Sequence, residues 1–412
     1  MSGRFPIKKS VRNGMAARHG SCFGRNMCGE IDRRFGFGIY FTMVKKSRVG
    51  EYAMKYHVNE NIKNTIRVFP EQGRYDKHRY DMNENPKGLP KDFVDSVLKE
   101  VTPEFLSVYP ESNRFINKYA KYVSDTYHVS AGYDNILTTN GSDMAIRYIL
   151  ETFGEQGKDV VTVSPSFEMY WVNCNILGYH HVPVSYKKDL TVDIENILAV
   201  INENTRIVVL LNPNNPVGNV YTEEEVQKVI DKSKSVGAVV VIDEAYHYFY
   251  DKTFIRHALI DENVIVMRTF SKLMSLAACR LGVIIGNPEI IHYIKNARLT
   301  FDVNSFALLF AERLLDNPEL IEQLIQIEKE GKKYTLDTLK ENGYWFKDCM
   351  GNFILVEPKT DAHRLSAKLK REKILVHPYG NELLKRYIRV SVGDKESMKK
   401  FLGAFLKLDH IR

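Results

Sequence analysis

AVVVID (238–243), EAYHYFYDKTFIRHALIDE (244–262), NVIVMR (263–268), TFSKLMSLAACR (269–280) and LGVIIG (281–286) follow one another without a gap, and their alternation decides the fold. The first, third and fifth pieces are short runs of Val and Ile, apolar almost throughout. Strands of this kind are buried on both faces, the pattern of a parallel sheet covered by helices. DVVTVS (159–164) and RIVVLL (206–211) extend the series upstream. Between RIVVLL and AVVVID, Glu223 to Val236 reads as an amphipathic helix behind a Thr222 cap. The expectation is an α/β protein whose large domain is a three-layer αβα sandwich around a mainly parallel sheet. After Pro288 the pattern changes to long charged helices (Glu312 to Asn342), strands around NFILVE (352–357) and YIRVSVG (387–393), and a closing helix from Lys395. That part reads as a smaller α+β domain. The predicted division is a basic extension (1–65), an N-terminal part of the small domain (66–108), the large domain (109–292) and the small C-terminal domain (293–412).

A chain of 412 residues, 44% hydrophobic, can bury a sizeable core. No apolar run reaches the length of a membrane-spanning helix, which takes about 20 residues, and the N-terminus lacks the apolar segment of a secretory signal. Five cysteines (22, 28, 174, 279 and 349) occur in no CxxC spacing, which predicts a reduced, cytoplasmic protein and no zinc site. The charge is uneven. Residues 1–50 hold eleven Lys/Arg against two acids, Glu30 and Asp32, a net of +9 in a chain of net +7, so the remainder is −2. A nucleic-acid reading would therefore rest on the extension alone. The extension is rich in Gly and Arg with little periodicity. It reads as a tail, as sequence ahead of a start at Met43 or Met54, as a targeting peptide, or as a partner-binding arm.

Polar residues gather at the carboxyl ends of the strands, where open α/β sheets place ligands. NPNNPVG (212–218) follows RIVVLL, DEAY (243–246) closes AVVVID, TFSK (269–272) follows NVIVMR, and Cys279-Arg280 precedes LGVIIG. Lys272 is either a surface lysine or an amine presented in a partly dry pocket, where desolvation and nearby cations make it nucleophilic. Arg280 suits a phosphate by its planar, permanent charge. Asp243 ends an apolar strand, so it is either a strand-end cap or a carboxylate awaiting a cation, such as a pyridinium nitrogen. Tyr246 and Asn215, the latter between Pro213 and Pro216, offer hydrogen bonds or simply pack and turn. Gly141-Ser142-Asp143 opens a helical pattern, as a plain cap or a phosphate site. Phe167 can stack on an aromatic face or fill the core. Arg389, inside an apolar strand, should meet a carboxylate.

Together these residues resemble the fold-type I pyridoxal-phosphate (PLP) enzymes of the class I/II aminotransferase group, most closely the histidinol-phosphate aminotransferases. The resemblance runs from Asn83 to Gly393 through NENP (83–86), YP (109–110), NGSD (140–143), PSFEMY (165–170), NPNNPVG, DEAY, TFSK, Arg280 and IRVSVG (388–393). It implies the PLP-transferase fold, PLP as cofactor and amino-group transfer. Lys272 would form the Schiff base and move protons. Asp243 would pair with the pyridine nitrogen, and Asn215 and Tyr246 would bind the phenolic oxygen. Phe167 stands where the family usually has a stacking Tyr. Ser271, Arg280 and the amides of Ser142 and Asp143 would hold the phosphate. Tyr109 would reach the phosphate of a neighbouring subunit, implying a homodimer with shared sites. Arg389 would clamp the substrate's α-carboxylate, with Asn83 at the substrate entrance. The family commonly has an Arg for the substrate's distal phosphate where this chain has His377, in ILVHPYG (374–380). A His binds phosphate weakly at neutral pH, so Lys385 or Arg386 would have to compensate.

The expected function is transfer of an amino group from an amino acid, or a phosphorylated amino alcohol, to a 2-oxo acid. The rival on the same residues is a decarboxylase of the threonine-phosphate type. A second rival is a non-catalytic regulatory protein using the basic arm.

Overall fold

The computed structural model describes residues 56–409, apart from positions 66, 68 and 71. The expectations placed on residues 1–55, Cys22 and Cys28 included, lie outside the described residues. Strands β1 (Ile136–Asn140), β2 (Asp159–Ser164), β3 (His180–Ser185), β4 (Thr205–Leu211), β5 (Val239–Asp243), β6 (Val264–Thr269) and β7 (Leu281–Gly286) form one sheet in the order β1-β7-β6-β5-β4-β2-β3. β3, β2, β4, β5 and β6 pair in parallel, whereas β7 is antiparallel to both β6 and β1. The sequence series treats 281–286 as one more strand of the parallel set. The link 270–280 contains only a short 3₁₀ turn, Ala277–Cys279, and a parallel return needs a longer crossover, usually a helix. The reversal has a consequence for the chemistry. It places Arg280, at the start of β7, on the same sheet edge as the carboxyl ends of β4, β5 and β6.

Alternate strand residues feed two cores. Val208, Leu210, Val240, Ile242, Val264 and Val266 pack with α1 (Asn113–Tyr127) and α4 (Glu223–Ser235) on one face. Val209, Leu211, Val241, Ile265 and Met267 pack with α2 (Gly141–Phe153), α3 (Met169–Leu177) and α5 (Pro288–Ala297) on the other. Each fully buried Val or Ile contributes about 1.5–3 kcal/mol, so register on this sheet is strongly specified. The expected Thr222 cap is present, as a capping box with Glu225.

The charged stretch expected over 312–342 breaks at Asp316 and Asn317, between α6 (Ser305–Leu315) and α7 (Pro318–Glu341). Beyond it, β8 (Trp345–Asp348), β9 (Phe353–Glu357), β10 (His377–Pro378) and β11 (Ile388–Ser391) form an antiparallel sheet ordered β10-β11-β9-β8. Ile354, Val356, Ile388 and Val390 pack under α7, α8 (Ala362–Arg371) and α9 (Lys395–Leu408). By the strand period of two, Phe353, Leu355, Arg389 and Ser391 face the other way. The described residues belong to one compact unit, and none of their helices is long and apolar enough to cross a membrane.

Candidate active site

Asp243 is the last residue of β5 and shares the parity of Val241, so it points toward α3. It is 3% exposed. Its Oδ2 accepts a hydrogen bond from the Tyr170 hydroxyl at 2.9 Å and its Oδ1 accepts from the Ala245 N–H at 3.1 Å. Among the described residues no cationic side chain pairs with it. Burial pushes its pKa up to about 6 against those two bonds, with Glu244 and Asp143 adding like charge. Glu244, one residue on, points to the opposite face. There it meets Arg268 of β6 in a fully buried pair with Nη2 at 2.8 Å from Oε2, and its carboxylate also accepts from Thr253 Oγ1 and the Phe254 N–H.

Lys272 follows β6 directly. Its Nζ donates to the Met82 carbonyl at 3.1 Å and lies 5.8 Å from the centroid of the Tyr246 ring. Burial, with the charges of Arg389 and Arg280, lowers its pKa to about 8 against the opposing charges of Glu84 and Asp143. An amine so placed is partly uncharged near neutral pH. Tyr246, 4% exposed, accepts a hydrogen bond from Asn83 Nδ2 at 2.9 Å, which leaves its own O–H free to donate.

The start of α2 forms a cradle. Gly141 has φ +70°, and a Cβ there would lie 2.6 Å from Arg280 Nη2. Gly282 of β7 packs on the same turn; its Cβ would lie 2.9 Å from the Ser142 nitrogen. The first N–H groups of a helix have no intrahelical acceptor. Arg280 Nη2 pairs with Asp143 Oδ2 at 2.9 Å, both side chains being partly exposed. Ser271 Oγ accepts from Thr269 Oγ1 at 3.1 Å, so its own proton is free to donate. Arg280, Ser271, Ser142 and Asp143, far apart in sequence, thus meet around one concavity whose donors suit an anion.

Arg389 reaches this edge from the second sheet. Its Nη1 donates to Asn215 Oδ1 and its Nη2 to the Asp81 carbonyl, both at 2.5 Å. The buried Tyr379 hydroxyl lies against the Arg389 guanidinium, whose charge and hydrogen bond oppose the rise in its pKa that burial causes. His377 lies directly opposite Arg389 across the β10–β11 pair, its ring 4.7 Å from that of Tyr379. Burial, then the charge of Arg389, drives the His377 pKa down to about 3. Phe167 is half-buried against the α2–α3 core.

Three residues differ from expectation. Asn83 is 1% exposed, with its N–H on Ser391 Oγ and its carbonyl on Asn352; it braces Tyr246 and does not line an entrance. Lys385 and Arg386 are tied at the surface to Glu382 and Glu357, away from His377. Tyr109 is 71% exposed and stacked on Phe301. Sequence reading missed Tyr170, Gly282, Tyr379 and the Glu244–Arg268 pair. The alternating parity of DE (243–244) signalled that the two acids part company, but their partners depend on the packing of distant elements. Two surface hollows, of about 490 and 250 Å³, are lined by none of these residues.

A sheet edge with a buried carboxylate without a cation, a lysine of lowered pKa and an anion cradle fits PLP, offering a group for the ring nitrogen, the aldehyde and the phosphate. Residues 81–405 match the family model for aminotransferase class I and II. The chain is 32% identical over 336 residues to a histidinol-phosphate aminotransferase of Thermoanaerobacter sp. (strain X514), covering 81% of this chain and 93% of that protein. It is 30% identical over 338 residues to that of Caldanaerobacter subterraneus subsp. tengcongensis, covering 81% and 93%. The crystal structure of histidinol-phosphate aminotransferase from Sinorhizobium meliloti in complex with pyridoxal-5′-phosphate superposes with a TM-score of 0.75 at 22% identity, covering 85% of this chain and 97% of that one.

Proposed function

The chain belongs to the aminotransferase class I and II family, and on that premise we propose that it moves an amino group between an amino acid and a 2-oxo acid, with PLP held at Lys272. The observation that carries this reading is Asp243, a buried carboxylate without a cation, at the same sheet edge as an amine with its pKa lowered to about 8. PLP supplies an aldehyde and an electron-withdrawing pyridinium ring. Asp243 would pair with the ring nitrogen and keep it protonated. Tyr246, braced by Asn83, would donate its free O–H to the phenolic oxygen, and Asn215, whose Oδ1 is occupied by Arg389, would offer Nδ2 to the same atom. Arg280, Ser271 and the first N–H groups of α2 would hold the phosphate, and Phe167 would lie against the ring. The Lys272 amine takes the proton from the donor's Cα and returns one to the product.

Arg389 would bind the donor's α-carboxylate, with the Tyr379 hydroxyl that lies against its guanidinium as a second point. The curated relatives are named for histidinol phosphate, a donor whose phosphate needs cations. Here His377 is held uncharged near neutral pH, and Lys385 and Arg386 are engaged elsewhere. These features favour an amino acid over a phosphorylated donor.

A homodimer completes the reading. Tyr109, Phe301, Leu106, Val108 and Leu299 are all more than half exposed, an apolar patch of the kind a partner covers. We assign cofactor binding mainly to residues 109–292 and substrate closure to 66–108 and 293–412, since Arg389 comes from the last of these. A cytoplasmic setting rests on Cys174, Cys279 and Cys349 being free thiols.

The test is a visible absorption spectrum of the purified protein, titrated with single amino acids and with histidinol phosphate. A cofactor band that bleaches with one donor supports transamination and identifies the donor. Release of carbon dioxide would point to decarboxylation, and no band with added PLP would overturn the reading. Lys272→Ala should retain PLP through its other contacts but lose turnover by orders of magnitude; turnover at the wild-type rate would remove Lys272 from its role.

A further inference from the structure

The Asp243 carboxylate is not left to the cofactor alone. Tyr170 lies in the first turn of α3, on the face of the sheet toward which Asp243 points, and is 2% exposed. Its hydroxyl is 2.9 Å from Asp243 Oδ2 and 3.3 Å from Met267 Sδ. A carboxylate can only accept, so the tyrosine proton lies on this bond. Burial and the adjacent Asp243 charge push the ionisation of Tyr170 far above its ordinary range, and the group remains a donor at every working pH. Its N–H faces the carbonyl of Phe167 at 3.4 Å, so a single turn presents both the ring-stacking residue and this hydroxyl.

The charges acting on Asp243 are those of Glu244, its chain neighbour on the opposite face, and of Asp143 in α2, and both push its pKa up. Each is matched by an arginine: Glu244 by Arg268 behind the sheet, Asp143 by Arg280 at the start of α2. Tyr170 is then, among the described residues, the side chain that donates to Asp243 itself.

We propose that Tyr170 is a positioning residue for this reaction, its hydroxyl keeping Asp243 ionised and aimed so that the shared proton stays on the pyridine nitrogen. This rests on the aminotransferase reading above. Without the hydroxyl the carboxylate becomes more basic and draws that proton onto itself. The ring then withdraws electrons less well, so the chemical step slows while donor binding at Arg389 is untouched.

The experiment is reconstitution of the full-length apoenzyme, wild type and Tyr170→Phe, with PLP labelled with ¹⁵N in the ring. The ring-nitrogen NMR shift is recorded from pH 6 to 8.5, alongside kcat, donor KM and far-UV circular dichroism. Wild type should show a protonated nitrogen across the range. In Tyr170→Phe the signal should move toward the unprotonated position, and kcat should fall about tenfold or more, the size of a hydrogen bond to a charged group, with donor KM unchanged. A wild-type nitrogen shift and a wild-type kcat in Tyr170→Phe would make Tyr170 a packing residue and overturn the proposal. Should Tyr170→Phe lose the native dichroism, Tyr170→His serves instead: its ring N–H can still donate, so a protonated nitrogen supports the proposal and an unprotonated one overturns it. A wild-type protein that takes up no PLP would instead defeat the aminotransferase reading, and this inference with it.

Discussion

At the residue scale the site is a set of groups held away from their ordinary ionisation. Asp243, with its pKa raised to about 6, binds its proton more tightly folded than unfolded. Its charge therefore destabilises the apoprotein progressively as pH rises through 4 to 6, and the cost is fully present above that. Asp243→Asn should stabilise the apoprotein at pH 7.5 by roughly 2–3 kcal/mol and leave stability near pH 4 unchanged, both read by calorimetry. The same variant should bind PLP more weakly, because Asn cannot pair with a pyridinium. A variant apoprotein no more stable than wild type at pH 7.5 would show that Asp243 is not strained by burial. Lys272, Asp243, Arg280 and Arg389 were legible in the sequence because their charge interrupts or ends apolar strands. Tyr170 was not, since a tyrosine in a helix beside apolar neighbours reads as packing until the carboxylate opposite it is known.

At the scale of elements, the cradle depends on two glycines that let a helix start and a strand approach an arginine. Gly141 has φ +70°, and a Cβ there would meet the Arg280 guanidinium. Gly141→Ala should cost about 1–2 kcal/mol of stability for the left-handed backbone. The guanidinium is the free end of a flexible, partly exposed side chain and can swing aside, so the fold should survive. PLP affinity should fall by tenfold or more, measured by titrating the apoprotein; an unchanged affinity would place the phosphate elsewhere. The helix start at Gly141 was readable from GSD followed by an apolar periodic run. That β7 reverses was not, because LGVIIG is equally apolar in either direction. The short link before it decides the matter, and with it the position of Arg280. Arg389 follows a different logic. The alternation in IRVSV puts Ile388, Val390 and Val392 under α7 to α9 and turns Arg389 and Ser391 toward Asn83, Asp81 and Asn215.

At the scale of the whole molecule, the exposed Tyr109–Phe301 stack and the proposed sharing of sites make a sharp prediction. Tyr109→Ala and Lys272→Ala should each be poorly active alone. Mixed, unfolded and refolded together, they should recover up to about a quarter of wild-type activity, because mixed dimers carry one intact site. No recovery would mean that Tyr109 does not serve its partner's site. The sequence by itself determined the α/β class, the family and a set of candidate site residues, because buried strands are written as apolar runs and polar residues are written at their ends. What it could not determine is which groups meet across the fold: Tyr170 on Asp243, Arg268 on Glu244, Asn83 on Tyr246, and the neutral His377 beside Arg389. Those contacts join residues up to 163 positions apart. Strand order, parity and helix placement bring them together, and burial then sets their charge, so only the tertiary structure decides them.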